Sequence, residues 1–214
     1  MPASPAATLE AGLAELGLAL SDGARGKLID YLALLAKWNR TYNLTSIRDT
    51  QRMVTHHLLD ALAALPGLPE RAIRVLDVGS GGGVPGIPWA IARPSWRVTL
   101  AESSRKKAAF LLQATIELQL TNVRVRDERV ERLGGDERFD LIASRAFADL
   151  ATFAAVSAPR LAPGGTLVAL KGERPDAEIA ALPAEYEVRR VIPLAVPGLA
   201  AERHLVLLQP RSPA

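Results

Sequence analysis

The chain has 214 residues, 49% hydrophobic and 23% charged, with 26 basic against 23 acidic side chains and a net charge of +3. That size suits one large domain, or a domain with an extension, and the apolar fraction is that of a chain that buries a core. There is no cysteine, which excludes disulfides, thiolate metal sites and a cysteine nucleophile, and so small a basic excess does not by itself announce a nucleic acid.

Residues 1–68 read as a helical cap. Leu9, Leu13 and Leu16 recur at helical spacing and stop at Gly17. Ser21 is the expected N-cap of a second helix with Leu28, Leu32 and Leu35 on one face, which the polar stretch Trp38-Asn39-Arg40-Thr41-Tyr42-Asn43 should end. A third helix is expected over Thr50–Ala64, stopped by Pro66-Gly67, with Pro66–Arg71 as connector. From Ile73 the texture changes, and residues 69–214 form the second expected domain. Strands are predicted at Ile73–Val78, Arg97–Ala101, Val123–Arg126, Phe139–Ser144, Thr166–Leu170, Glu187–Pro193 and His204–Leu208. Helices are predicted at Ile87–Ala92, Arg105–Leu118, Leu150–Leu161 and Asp176–Leu182. This alternation predicts an α/β fold, a doubly wound and mostly parallel sheet, closed by a terminal antiparallel pair around the loop at Pro197-Gly198. No uncharged apolar run reaches the ~18 residues of a membrane span. Met1–Glu10 lacks the basic and apolar stretches of a signal peptide, so a cytoplasmic protein is expected.

The sharpest local feature is Val75-Leu76-Asp77-Val78-Gly79-Ser80-Gly81-Gly82-Gly83-Val84-Pro85-Gly86, a strand that runs into a glycine-rich turn and then a helix. Ligands of open α/β sheets bind beyond the carboxyl ends of the strands, and glycines there let a ligand approach the backbone. The dinucleotide fingerprint fails, because the sixth place from Gly79 is Val84. The run Asp77 to Gly83 instead resembles the first motif of the class I methyltransferases, which bind S-adenosylmethionine. Glu102, at the end of the next strand, could be a surface carboxylate beside Arg105, Lys106 and Lys107, but with the glycine loop before it the favoured reading is an acceptor for ribose hydroxyls.

Absences narrow the reaction. Pyrimidine C5 methylation usually proceeds through a cysteine adduct, and there is no cysteine. Exocyclic amines are typically methylated with an Asn/Asp-Pro-Pro-aromatic motif after the fourth strand, where this chain has Ser144-Arg145-Ala146-Phe147. No carboxylate cluster has metal-ligand spacing, so no metal is expected. His56 and His57 are adjacent and should face different sides of a helix as capping or surface residues. Guanine N7 suits this inventory, because it offers a lone pair and no proton and needs only alignment and exclusion of water.

Several blocks taken together resemble one family. They are Trp38 to Ser46, His57-Leu58-Leu59-Asp60, Gly83-Val84-Pro85-Gly86-Ile87-Pro88, Ser144 to Ala148, Leu170-Lys171-Gly172 and Glu202-Arg203-His204-Leu205. In that order the chain is similar to the bacterial small-subunit ribosomal RNA methyltransferase G family, also called glucose-inhibited division protein B. The resemblance implies a class I S-adenosylmethionine-dependent methyltransferase domain at 69–214 behind the helical extension. It implies methyl transfer from S-adenosylmethionine to guanine N7 in the decoding-region loop of 16S rRNA, with 16S rRNA or the small ribosomal subunit as partner and the chain acting as a monomer. By motif, the cofactor residues are Asp77, Gly79, Ser80, Gly81, Gly83, Val84, Glu102, Val130, Glu131 and Arg145, with Val130-Glu131 flanking the adenine. Arg145 is also expected to position the reactants, unless it is spent on an ion pair to Asp149 four residues on. RNA contacts are expected from Arg40, Arg48, Arg105, Lys106, Lys107, Arg145, Lys171 and Arg203. Gly82 departs from the family pattern, which has proline there. Trp38 and Tyr42 either stack a base or close the core of the cap. Two other readings compete with the RNA enzyme. One is a methyltransferase for a small molecule, the other a non-catalytic RNA-binding module.

Overall fold

A computed structural model describes residues 3–134 and 136–211. Seven strands form one sheet in the order β3-β2-β1-β4-β5-β7-β6. They are β1 (Arg74–Val78), β2 (Arg97–Ala101), β3 (Val123–Arg126), β4 (Phe139–Arg145), β5 (Leu161–Lys171), β6 (Tyr186–Pro193) and β7 (His204–Pro210). β1 to β5 run parallel, and β7 is antiparallel to both β5 and β6. The predicted α/β sheet and its terminal antiparallel pair are therefore present, and the order reverses between β1 and β4, where such sheets bind ligands.

The helices are α1 (Pro5–Glu15), α2 (Asp22–Tyr42), α3 (Thr50–Met53), α4 (Asp60–Leu62), α5 (Gly86–Ala92), α6 (Arg105–Glu117), α7 (Leu150–Ser157) and α8 (Asp176–Ala180). Ser21 caps α2 as expected, its hydroxyl accepting from the N–H of Ala24 at 3.2 Å. The stretch from Trp38 does end that helix, but only at its last residue; Trp38–Tyr42 still belong to it. Trp38 leans on Phe110 and Tyr42, with ring centroids 5.7 and 5.2 Å away, so it packs against the core. Asn39 is buried, its amide oxygen accepting from Thr45 N–H and its nitrogen donating to Ile47 O. The helix stops only at Asn43, in the left-handed region at φ 50°.

The third predicted helix is interrupted. Val54–Leu59 form a π-helical turn between α3 and α4, an irregularity that helices often carry at functional sites. β5 begins earlier than predicted, because Pro163-Gly164-Gly165 are absorbed in an irregularity of the β4–β5 ladder instead of forming a separate turn. α7 stops before Pro159, and the chain continues as a 3₁₀ turn over Ala158–Arg160.

The sheet has two apolar faces. On one, Val75, Val98 and Leu100 share a core with Leu9, Leu28, Leu32, Leu58, Trp89 and Phe110, so α1 to α6 and the sheet pack together. On the other, Leu76, Val78 and Ile142 meet Leu150 and Phe153 of α7. The Trp89 indole donates to Ala61 O at 2.8 Å, fastening α5 to α4. Among the described residues, no helix is long and apolar enough to cross a membrane.

Candidate cofactor and methyl-transfer site

The glycine loop leaves β1 at the switch point. Gly79, Gly81 and Gly83 have φ values of +68°, +57° and +90°, which other residues adopt only with strain. Their surroundings differ. A Cβ on Gly79 would lie 2.8 Å from Phe147 Cδ2, and one on Gly83 would lie 2.6 Å from Ile87 Cδ1. One on Gly81 would meet nothing nearer than Gly79 O at 3.8 Å, so this glycine faces open space. Gly82, where proline was expected, is held from α2, because the buried Tyr31 hydroxyl donates to Gly82 O at 2.5 Å.

Asp77 lies beneath the loop, fully buried. Its Oδ2 accepts from Gly86 N–H at 3.0 Å, while Oδ1 is buried without a partner. Burial pushes its carboxyl up to about 7, against the pull of the Gly86 N–H, Ser80 and Arg145. Ser80 closes the turn, its hydroxyl donating to Asp77 O at 2.9 Å. Glu102, also buried, accepts from Gly81 N–H and Ser104 N–H, both at 2.8 Å. It is therefore part of the loop's framework, not a surface carboxylate.

An orphaned buried carboxylate oxygen, an open left-handed glycine and a second buried carboxylate one strand over fit a ligand with a cationic group and a diol. S-adenosylmethionine has both. A cation placed near Asp77 favours its charged form. Cofactor binding should therefore release protons below about pH 7, and affinity should rise with pH up to about 7 and then level. Titration calorimetry in buffers of different ionisation heat measures that release, which the Asp77→Asn variant should lose. The same raised value works against folding. The native state retains a proton that the unfolded chain gives up near 3.8, so Asp77's contribution falls as pH climbs towards 7.

Arg145 ends β4. It does not pair with Asp149, which instead caps α7 by accepting from Thr152 N–H at 2.8 Å. Arg145 reaches across to the π-helical turn, donating to His56 O at 3.0 Å and to Asp60 Oδ2 at 3.1 Å. Arg203, just before β7, donates to Asp60 Oδ1 at 2.7 Å. One buried carboxylate thus holds two guanidiniums, whose side chains are 26% and 25% exposed. His57 is not a surface residue; it is 4% exposed. Its Nε2 lies 3.0 Å from Thr45 Oγ1, and burial, with help from Arg145, lowers its pKa to about 4.

The remaining expected residues separate. Val130 is buried on the α7 side and Glu131 is exposed, both in the 3₁₀ turn after β3. Val84 is buried where the loop enters α5. Lys171 is bound to Glu178 at 2.7 Å and to Ala148 O at 3.0 Å. Arg40, Arg48, Arg105 and Lys106 are exposed and Lys107 is half-buried; none has an ion pair among the described residues. Among the described residues, no three histidines or carboxylates are grouped to hold a metal.

Three residues of this region carried no individual role in the sequence reading: Tyr31, Asp60 and Phe147. Phe147 is 41% exposed and lies against Gly79, after Ala146 at φ 54°. Its sequence signals were a place in the family-like block Ser144–Ala148 and an aromatic where amine methyltransferases also carry one. Asp60 stood in the family-like block His57–Asp60 without a role, and Tyr31 gave no signal, because their partners are distant in the chain.

A family model described as rRNA small subunit methyltransferase G matches residues 24–206. The chain belongs to that family. It is 57% identical over 200 residues to the ribosomal RNA small subunit methyltransferase G of Laribacter hongkongensis, covering 94% of this chain and 96% of that protein. To the protein of the same name from Aromatoleum aromaticum it is 54% identical over 208 residues, covering 95% and 98%. The fold is similar to that of an S-adenosylmethionine-dependent methyltransferase from Thiobacillus denitrificans solved with S-adenosyl-L-homocysteine. There the TM-score is 0.54 at 17% identity, with 72% and 90% of the two chains covered. Membership of the methyltransferase G family bears out the expected enzyme class, its class I fold and S-adenosylmethionine as cofactor.

Proposed function

We propose that this enzyme methylates N7 of a guanine in the decoding-region loop of 16S rRNA, and that the polar groups at the strand ends align the reactants without moving a proton. The reading rests on one observation: Asp60, Glu102 and His57, the buried groups around the end of β4 and the loop's outer side, are already engaged. Asp60 is held by two arginines, Glu102 by two backbone N–H groups, and the acceptor nitrogen of His57 by the Thr45 hydroxyl. Guanine N7 carries no proton, so such a site suffices.

Bound S-adenosylmethionine supplies an electrophilic methyl on a sulfonium. The chain's own work is placement. Gly79, Ser80, Gly81, Gly83 and Val84 shape the loop, Asp77 and Glu102 offer carboxylates to the ligand's cation and diol, and Val130 and Glu131 flank the adenine. Arg145 positions the reactants, with its direction fixed by Asp60. Phe147, exposed beside the loop, offers an apolar face on which a base can stack and exclude water. Arg40, Arg48, Arg105, Lys106, Lys107, Lys171 and Arg203 are the proposed RNA contacts, the last two while keeping their carboxylate partners.

The partner is 16S rRNA or the small subunit, and the enzyme works as a cytoplasmic monomer. Residues 1–68 serve as a helical cap on a methyltransferase domain at 69–214, the two sharing one apolar core. The test is transfer of labelled methyl to naked rRNA and, separately, to small subunits from cells lacking this gene, followed by mass spectrometry of the digested nucleosides. Label in 7-methylguanosine is expected. Label in another nucleoside, or none in RNA alongside transfer to a small metabolite, would overturn the reading.

A further inference from the structure

Among its described residues, the connection from β3 to β4 carries only the 3₁₀ turn Val130–Arg132, which lays no helix over β2 and β3 on the α7 side. The uncovered sheet there is lined with charge. Arg74 is paired in register with Arg97, and Arg124 with Thr99, two places along the same strand. Side chains alternate along strands, so all three arginines share the face of Leu76 and Ala101. They line an open groove of about 620 Å³ at the starting ends of the strands.

Its apolar floor is sealed: Trp96 is 0% and Phe139 1% exposed. The Asn122 amide is spent on Ala90 O and Trp96 O, and what solvent meets instead is guanidinium and the Ser95 and Thr121 hydroxyls. Those are the side chains that contact the sugar-phosphate backbone of nucleic acids. A protein partner would want a broad apolar centre to its contact, whereas the exposed side chains here are mainly arginines and hydroxyls, with Pro94 and the half-buried Val123 as the apolar exceptions. Two carboxylates stand nearby. Asp140 already accepts from Arg74 N–H at 2.7 Å and lies 4.0 Å from its side chain, and Glu137 forms no ion pair among the described residues. Arg97 and Arg124 are exposed and have no carboxylate partner among the described residues. Charges on an edge strand also deter sheet-to-sheet aggregation, but that role concerns β3 alone and does not explain Arg74 and Arg97 further inside the sheet.

We propose that this groove is a second RNA-binding surface, on which Arg97 and Arg124 grip phosphates of the substrate RNA away from the reacting base. The inference rests on the proposed RNA substrate. The five residues of β2 separate the groove from the glycine loop by about 15 Å, so one folded RNA can span both. The binding is sequence-independent and salt-sensitive.

The test measures binding of a fluorescently labelled hairpin loop of small-subunit rRNA to the full chain, over a range of salt, for wild type and Arg97→Glu/Arg124→Glu. Both positions are on the surface, so circular dichroism and S-adenosylmethionine affinity should be unchanged. RNA affinity should fall at least tenfold, and the slope of log K against log salt should flatten by about 1.4–1.8, the share of two phosphate contacts. Unchanged affinity and slope in a folded variant would overturn the groove as an RNA surface, whereas failure of the wild type to methylate RNA would speak against the proposed function instead. A third arm uses tripolyphosphate. Arginine-dependent binding of it, with RNA affinity unaltered in the variant, would make the groove a site for small anions and equally overturn the proposal.

Discussion

Replacing Asp60 by alanine should cost the protein about 2–3 kcal/mol of stability and nearly all of its methyl transfer. Removing one partner of a buried ion pair typically costs about 3–5 kcal/mol, because a charge is left unpaired. Here two guanidiniums are left facing each other, but each is about a quarter exposed, so water takes part of the load. In a chain of this size the loss corresponds to a fall of roughly 5–10 °C in melting temperature. Activity should suffer more than stability, since Arg145 loses the carboxylate that aims it. Arg145→Ala provides the comparison. It leaves Asp60 paired with Arg203 and should unfold closer to wild type, with turnover equally low. Asp60→Ala protein that melts and turns over like wild type would remove the carboxylate from the site.

Gly81→Val should lower S-adenosylmethionine affinity at least a hundredfold while leaving a folded protein. Within the chain the new side chain finds room, since no atom outside its neighbours comes within 3.8 Å of the Cβ. The backbone does object. Valine at φ +57° carries strain of about 1–3 kcal/mol, which thermal melting will register. The loss of affinity comes from the space outside, which the cofactor needs. Gly83→Val fails differently, because its Cβ presses on Ile87 and lies 3.1 Å from Leu111. That variant should lose stability first. Calorimetry at a temperature where each variant is folded separates the two, and wild-type affinity in Gly81→Val would show that the loop does not face the cofactor.

The sheet was legible in the sequence because its strands are short apolar runs punctuated by glycine and proline, and local patterns of that kind survive folding. β2 and β3 match their predicted bounds to the residue. The glycine loop was legible for the same reason, since backbone conformation there is written in residue type. The polar stretch did mark the end of α2, but not which of its residues would be buried. Asn39 spends its amide on the following loop, and Trp38 has a partner in Phe110, some seventy residues on. The Asp60 junction was invisible. It joins residues 85 and 143 positions apart, and no local pattern records such a meeting. His57 was misread because a polar side chain on a helix was taken for a cap or surface residue; it does diverge from the half-buried His56, but its side is the buried one, against Thr45.

The hydrogen bond from Tyr31 to Gly82 O joins residues 51 apart, and with the Asp60 junction it makes the N-terminal helices part of the machinery they cover. This has a consequence for descent. A gene assembled by crossing two relatives between the cap and the sheet would inherit a tyrosine and a carboxylate from one parent, and the loop and arginines they must meet from the other. Because cap and sheet share one apolar core, such a hybrid has to match its packing as well as its reactive groups across the join. The two segments are therefore bound to travel together, and change in one must be answered by change in the other.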